Sequence, residues 1–282
     1  MYLKPICWNS MEQSVTFLKP SLVRSQLATE IIGRRIIYFR NIDSTNTCAL
    51  EMAARGVPEG TVVIADEQTR GKGRLGRHWR SPPGKGIYLS IVLRPRIKVE
   101  FLAYFSIISA LAVAETVEGL SPFPPDIKWP NDILLHHRKV AGVLVELGTE
   151  NDLVSYLIVG IGLNLLQKEE DFPSELRGKA TSILIEGGKV FCREEVVVKL
   201  LQNFDHWYKV LLTSGATPIM QRWRDYSHHW IGKEVKVVTP EGEFFGISEG
   251  IGDDGRFLVR KGDGELKEVW AADIVSLQEV NK

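Results

Sequence analysis

Residues 71–77 read Gly-Lys-Gly-Arg-Leu-Gly-Arg, and no aspartate or glutamate occurs between Gln68 and Val99. Glycines at this density, with Pro82-Pro83 close behind, do not sustain a helix, so the segment has to be a loop. The apolar run Thr61 to Ala65 reads as a buried strand that delivers the chain straight into it. Arg70, Lys72, Arg74, Arg77, Arg80 and Lys85 gather there, in a chain whose 35 basic and 35 acidic residues otherwise balance. Glycine-rich backbone bends its N–H groups around an oxyanion, and arginine offers forked donors to phosphate oxygens. The loop therefore points to a phosphorylated ligand or intermediate. It is not the dinucleotide-binding fingerprint, because no helical run begins at it, and it lacks the terminal Gly-Lys-Ser/Thr of a Walker loop.

Around the loop the apolar spacing sets out a mixed architecture. Val23, Leu27 and Ile31 recur every four residues behind Ser21 and stop at Gly33, which predicts a short helix. A strand is expected at Arg35 to Arg40, then a turn at Asp43 to Asn46 that caps a helix running to Gly56. Ile87, Leu89, Ile91 and Leu93 alternate as one face of a strand, and residues 99–118 read as a helix closed by Gly119. Lys128-Trp129-Pro130-Asn131-Asp132 breaks a strand into a turn, with Trp129 read as core. Ile133 to Leu147 forms a hairpin about His136-His137-Arg138, and Leu153 to Asn164 adds a strand interrupted by Gly160 and Gly162. Asp171 to Gly188 is polar enough for a mobile loop, and helices follow at 193–211 and 217–228. Beyond Ile231 five short β-type runs appear, the first four separated by the hairpin signals Pro240-Glu241-Gly242, Asp253-Asp254-Gly255 and Gly262-Asp263-Gly264. The expectation is an α+β fold: a mixed, mainly antiparallel sheet with packed helices at 21–230, preceded by an extension at 1–20 and followed by a small SH3-like barrel at 231–282.

A chain of 282 residues has room for two domains of about 100 to 200 residues. Neutral net charge removes a general attraction to nucleic acid or anionic membrane. Cys7, Cys48 and Cys192 are too scattered for a disulfide framework or a zinc site, which fits a reducing cytosol. There is no signal-type apolar segment and no bilayer-length one, so neither secretion nor membrane insertion is expected. The adjacent pairs His136-His137 and His228-His229 point apart and lack acidic or cysteine partners at ligand spacing, so no metal site is expected. No Ser-His-Asp arrangement is readable.

Four segments taken together are more specific than the loop alone: Asp43-Ser44-Thr45-Asn46, then Gln68 through Trp79, then Lys128 to Asp132, then Lys139-Val140-Ala141-Gly142-Val143-Leu144-Val145-Glu146. In order and spacing they resemble the biotin protein ligases, and Gly160-Ile161-Gly162-Leu163-Asn164 adds a fifth match. The likeness covers about residues 20 to 280. It implies a two-step reaction in which biotin and ATP, with Mg²⁺ on the phosphates, give biotinyl-AMP, and a lysine of a biotin carboxyl carrier protein then takes the acyl group. Arg74 and Lys72, with the backbone of Gly71 and Gly73, would hold phosphate and carboxylate. Ser44, Thr45 and Gln68 would serve the ureido group, beside Asn46 and Trp79, although Ser44 and Thr45 also read as a helix cap. Gly142, Leu144, Gly160 and Gly162 would line the rest, with Asn131 and Asn164 as further motif positions. Lys139, by default a solvated hairpin flank, would contact the reacting phosphate and carboxylate. Asp132 reads either as a turn former or as the group that orients or deprotonates the incoming amine. Arg177 to Ser182 resembles the family's adenine-side loop, with Ala180 where some members place an aromatic residue. Lys72 stands where many carry arginine.

Some family members also carry an amino-terminal winged helix and act as repressors. Only about 20 residues precede the first expected helix, so no specific DNA binding is expected, and the enzyme is expected in the cytoplasm, as a monomer or a homodimer. The rival enzyme reading is a lipoate or octanoate ligase of the same superfamily, whose arginine and multi-glycine signature is not evident. A nucleic-acid-binding module is the rival of a different class, opposed by neutral charge and by a basic segment without interleaved aromatics.

Overall fold

The computed structural model describes residues 17–95, 97, 101–150, 153–239, 242–270 and 273–276. Most of the predicted extension at 1–20 therefore lies outside the described residues. Seven strands form the main sheet: β1 (Arg35–Ile42), β2 (Thr61–Gln68), β3 (Gly86–Leu93), β4 (Asp126–Lys128), β5 (Asp132–Leu135), β6 (Arg138–Glu150) and β7 (Leu153–Asn164). Their order is β1-β2-β3-β7-β6-β5-β4, and only the β1–β2 pair is parallel. That pair is joined by a crossover helix, α2 (Thr45–Ala54), whereas the other neighbours run antiparallel.

The helices divide between the two faces. On one face α2 seats Ala49 and Ala53 against Val63, Val92 and Ile158. On the other, α3 (Ala103–Glu118) is apolar around nearly its whole circumference and buried, and α5 (Arg193–Ser214) and α6 (Thr217–Ser227) pack around it. Asp66 of β2 is fully buried and is held by Arg193 at 2.5 Å, by the Tyr38 hydroxyl and by the Leu18 backbone N–H. One carboxylate thus ties α5, β1 and the chain before α1 (Pro20–Gln26) to the sheet.

Two local expectations differ. The first helix ends at Gln26 and does not reach Gly33, because Asp205 of α5 accepts the backbone N–H groups of Glu30, Ile31 and Ile32 at 3.1, 2.8 and 2.9 Å. That carboxylate holds the segment as a turn, so Val23 and Ile31 both pack on the core without sharing a helix. The stretch 171–188, expected as a mobile loop, contains a short helix, α4 (Ile183–Gly187), with Ala180, Thr181 and Ser182 buried just before it.

After α6 the chain enters a second, five-stranded antiparallel sheet: β8 (Glu234–Thr239), β9 (Gly242–Ile251), β10 (Phe257–Arg260), β11 (Leu266–Val269) and β12 (Asp273–Ser276), ordered β11-β10-β9-β8-β12. Its apolar side is continuous with the main core, since Phe257, Val259 and Ile274 belong to the same buried cluster as α3. Trp129 makes the join: its ring stacks on Phe257 with centroids 5.3 Å apart, and its indole N–H donates to the Gly255 carbonyl at 3.1 Å.

Candidate active site

The cleft follows from strand parity. In an antiparallel pair, residues in register share a face, so Ser90, Gly160 and Leu144 form one row on the α2 side of the sheet, and Tyr88, Gly162 and Gly142 form the next. Glycines at three neighbouring positions leave a hollow just beyond the amino-terminal end of α2. A Cβ at Gly160 would sit 2.0 Å from Asn46 Oδ1, and one at Gly162 would sit 2.4 Å from the Trp79 ring. These glycines are thus the space that Asn46 and Trp79 occupy, as well as the floor of the site.

The resulting cleft is narrow, with a cavity volume of about 40 Å³. Its wall includes Ser44, Thr45, Asn46, Gln68, Lys72, Gly73, Trp79, Asn131, Lys139, Gly142, Leu144, Gly160 and Gly162, so residues from five separate stretches of sequence meet there. Leu89, Val143 and Ile161 complete it and were not expected from the sequence. The remaining expected residues are placed around it. Gly71 is buried where a Cβ would lie 2.4 Å from the Trp79 carbonyl. Arg74 faces a wider adjoining trough of about 570 Å³, shared with Asn131, Val143, Leu144, Trp129 and Trp270. Asp132 forms an ion pair with Lys139 at 2.6 Å. Asn164 is turned into the protein, where its amide donates to the Thr181 carbonyl, and Ala180 is buried beside β6. Neither of these last two is on the cleft wall.

The basic loop is fastened at two points. Arg74 donates to Asn131 Oδ1 at 3.1 Å, and Lys72 pairs with Glu146 at 3.4 Å. The Asn131 amide has only one orientation available, because its nitrogen must donate to the Val143 carbonyl at 2.7 Å, which leaves its oxygen for Arg74. Lys139 lies 5.4 Å from the centre of the Trp79 ring, a cation–π approach. Its backbone is zipped to the 179–181 segment, donating to the Lys179 carbonyl and accepting from the Thr181 N–H.

Behind that segment Glu186 gathers the Thr181 hydroxyl at 2.6 Å, Arg138 at 2.7 Å and His136 at 2.8 Å. Burial alone would push the Glu186 carboxyl up, but the Thr181 hydroxyl, the His136 ring and the Arg138 guanidinium outweigh it. Together they hold it below the ordinary glutamate value. Among the described residues no group of three or more His, Cys, Asp or Glu is placed to hold a metal ion, and no helix is long and apolar enough to cross a membrane.

Residues 38–164 match the biotin/lipoate A/B protein ligase family, and residues 230–276 match the biotin protein ligase C terminal domain. The second model is described for the biotin protein ligases alone. This chain belongs to the biotin protein ligase family. The biotin--[acetyl-CoA-carboxylase] ligase of Mycobacterium tuberculosis is 32% identical over 274 residues, covering 93% of this ligase and 98% of that one. The bifunctional ligase/repressor BirA of Bacillus subtilis is 38% identical over 257 residues, 91% of this chain and 78% of the relative. Among solved structures, the biotin protein ligase from Aquifex aeolicus in complex with biotin and ATP superposes with a TM-score of 0.74 at 32% identity, over 86% of this ligase and 98% of that chain.

Proposed function

We propose that the protein activates biotin with ATP and transfers it to a lysine of a biotin carboxyl carrier protein. The observation that carries this reading is the convergence of Lys139, Lys72 and the loop backbone on a narrow cleft whose far end is lined by Ser44, Thr45 and Gln68. In the first step a biotin carboxylate oxygen attacks the α-phosphorus of ATP. A P–O bond forms, the bond to the β-phosphate breaks, and pyrophosphate leaves. Negative charge builds on the phosphoryl oxygens, and cations fixed in advance stabilise it without reorganising. A Mg²⁺ ion brought by the nucleotide would add positive charge to that supplied by Lys72 and Lys139.

In the second step the carrier amine attacks the acyl carbon, a C–N bond forms and AMP departs. The amine must shed a proton, and Asp132 is the carboxylate beside the reacting end. As Lys139 turns to the phosphate, Asp132 gives up its partner and becomes able to receive that proton. The open trough bordered by Arg74, Asn131 and Trp270 gives a protruding lysine its route in. The segment Arg177 to Ser182, which includes the buried Ala180 and is held from behind by Asn164, supports the nucleotide end through its contacts with Lys139.

The division into an extension at 1–20, a ligase domain at 21–230 and a barrel domain at 231–282 is the organisation we favour. So is a cytosolic enzyme that binds no specific DNA, in keeping with balanced charge and three scattered cysteines. A gel shift showing tight, salt-resistant, sequence-selective binding would overturn the DNA part. The reaction itself is tested by ATP–pyrophosphate exchange with biotin, lipoate or octanoate, followed by transfer to a biotin-carrier domain. Exchange with biotin and biotinylation of the carrier lysine are expected. Exchange with lipoate or octanoate in place of biotin would move the chain to the rival branch.

A further inference from the structure

Gln167 is 1% exposed, and its side-chain oxygen Oε1 is buried with no hydrogen-bond partner among the described residues. A buried acceptor left unpaired costs free energy, and an apolar side chain of similar length, such as methionine, would avoid that cost. What the residue contributes is its amide nitrogen. Nε2 lies 3.0 Å from Asn164 Oδ1 and 3.4 Å from the Tyr88 hydroxyl, so its two N–H groups serve two separate partners. On one branch Asn164 donates to the Thr181 carbonyl at 3.0 Å, in the segment whose backbone is zipped to Lys139. On the other, the fully buried Tyr88 donates from its hydroxyl to the Pro82 carbonyl at 3.1 Å, on the limb of chain that returns from the basic loop.

The carbonyls at the two ends fix the orientation of every group between them. A carbonyl only accepts, so Asn164 turns its nitrogen to Thr181 and its oxygen to Gln167, which then has to present Nε2. The Tyr88 proton goes to Pro82, and the Tyr88 oxygen accepts from the same Nε2. Burial pushes the Tyr88 hydroxyl above the ordinary tyrosine value, so it remains a donor at neutral pH. The backbone of this strip makes ties of its own: the Leu166 N–H donates to the Lys85 carbonyl at 2.7 Å, the Leu184 N–H to the Leu165 carbonyl at 2.9 Å, and the Ser182 hydroxyl to the Gln167 carbonyl at 2.6 Å. These anchor residues 165–167, while the Gln167 side chain reaches points closer in sequence to the basic loop and to the Lys139 contact. Gln167 is not itself on the cleft wall.

We propose that Gln167 is a positioning residue for adenylate formation: by tying Asn164 and Tyr88 to one amide, it sets the spacing between the returning limb of the basic loop and the segment zipped to Lys139. This rests on the ligase reading, in which the basic loop and Lys139 border the place taken by the phosphoryl group. Charge developing on phosphoryl oxygens is stabilised by donors already at the right distance, and a displacement of about 1 Å can cost up to about 100-fold in rate. Gln167 touches neither ligand, so its effect passes through the donors it holds in place. It therefore belongs to kcat and not to the binding of biotin at the far end of the cleft.

The test is steady-state pyrophosphate exchange by the full chain. Gln167→Met keeps the length of the side chain while removing both N–H groups and the unpaired oxygen, so the urea midpoint should stay near that of wild type. Its kcat should fall about 10-fold with KM for biotin unchanged. Tyr88→Phe cuts one branch and should lower kcat about 3-fold, and adding it to Gln167→Met should cost nothing more, because that branch is already cut. In a Lys139→Ala background the effect of Gln167→Met should shrink to the share of the Tyr88 branch, again about 3-fold, since the donor placed by the other branch is gone. Wild-type kcat in Gln167→Met would overturn the proposal, as would an undiminished loss in the Lys139→Ala background or a loss confined to KM for biotin. Should Gln167→Met fail to fold, Tyr88→Phe carries the test, and an unchanged kcat there overturns the proposal. A wild type that shows no biotin-dependent exchange would instead remove the ligase reading itself.

Discussion

At the scale of single residues, the cationic end of the site is defined by what holds each cation in place. Lys139 is half-buried, paired with Asp132 and set beside Trp79, and Arg74 is anchored by Asn131. Both sit at the edge of their clefts and outside the core, so truncation should affect chemistry much more than folding. Lys139→Ala and Arg74→Ala are each expected to lower kcat/KM for pyrophosphate exchange by about 100- to 1000-fold, the usual cost of removing one preorganised charge-stabilising donor. Urea unfolding should move by no more than about 0.5 kcal/mol in either variant. Wild-type exchange rates in both would remove these residues from the reaction.

Much of this was legible in the sequence, because spacing of unlike motifs survives without any structure: the expected residues from 43–46, 68–79, 128–132, 139–146 and 160–164 do meet around one cleft. Two kinds of residue escaped that reading. Ser90 and Glu146 hydrogen-bond to wall residues from behind; Ser90 is signalled only by a serine inside the apolar run Ile87 to Leu93, and Glu146, although it closes the 139–146 segment, was given no role there. Asn164 and Ala180, by contrast, fall within recognisable segments, but their side chains turn away from the cavity, a direction that sequence order does not carry.

At the scale of elements, the segment leading into α4 depends on a long-range carboxylate. Its polar composition reads as a loop, yet Glu186 closes it onto the β5–β6 hairpin through His136, Arg138 and Thr181. The first helix fails the periodicity rule through a different bond, since Asp205, more than 170 positions away, takes up its backbone donors. Local pattern predicts an element where local bonds decide it, and misses where a distant side chain offers the backbone a better partner. Because its partners hold the Glu186 carboxyl below the ordinary glutamate value of 4.5, its contribution to stability is fully present above that pH. The contribution is lost as pH falls through the depressed folded value. Glu186→Gln should therefore destabilise the protein by about 1 to 3 kcal/mol at pH 7, with the gap to wild type closing progressively below pH 4.5. Chemical unfolding at a series of pH values checks this, and a gap that stays constant with pH would show that the charge of Glu186 is not what holds the segment.

At the scale of the whole molecule, the two sheets are joined by apolar contact and by few polar ties. Tyr104 donates to the Asp253 carbonyl at 3.1 Å, Arg224 pairs with the Asp253 carboxylate at 2.6 Å, and Trp129 inserts between the sheets. Trp129 directly precedes Pro130, Asn131 and Asp132, so the residue that docks the carboxyl-terminal sheet also fixes the turn that anchors Arg74. A single buried cluster spanning both sheets predicts one cooperative unfolding transition, with calorimetric and van't Hoff enthalpies equal. Trp129→Phe keeps the ring and loses only the bond to Gly255, a change of about 1 kcal/mol that should leave the transition single. Trp129→Ala opens a large cavity at the join and should cost about 3 to 5 kcal/mol. It should also separate the melting of the two sheets into resolvable steps, while lowering pyrophosphate exchange through the displaced Asn131–Arg74 contact. If Trp129→Ala melts in one step and retains full exchange, the carboxyl-terminal sheet is coupled to the catalytic turn by some route other than this side chain.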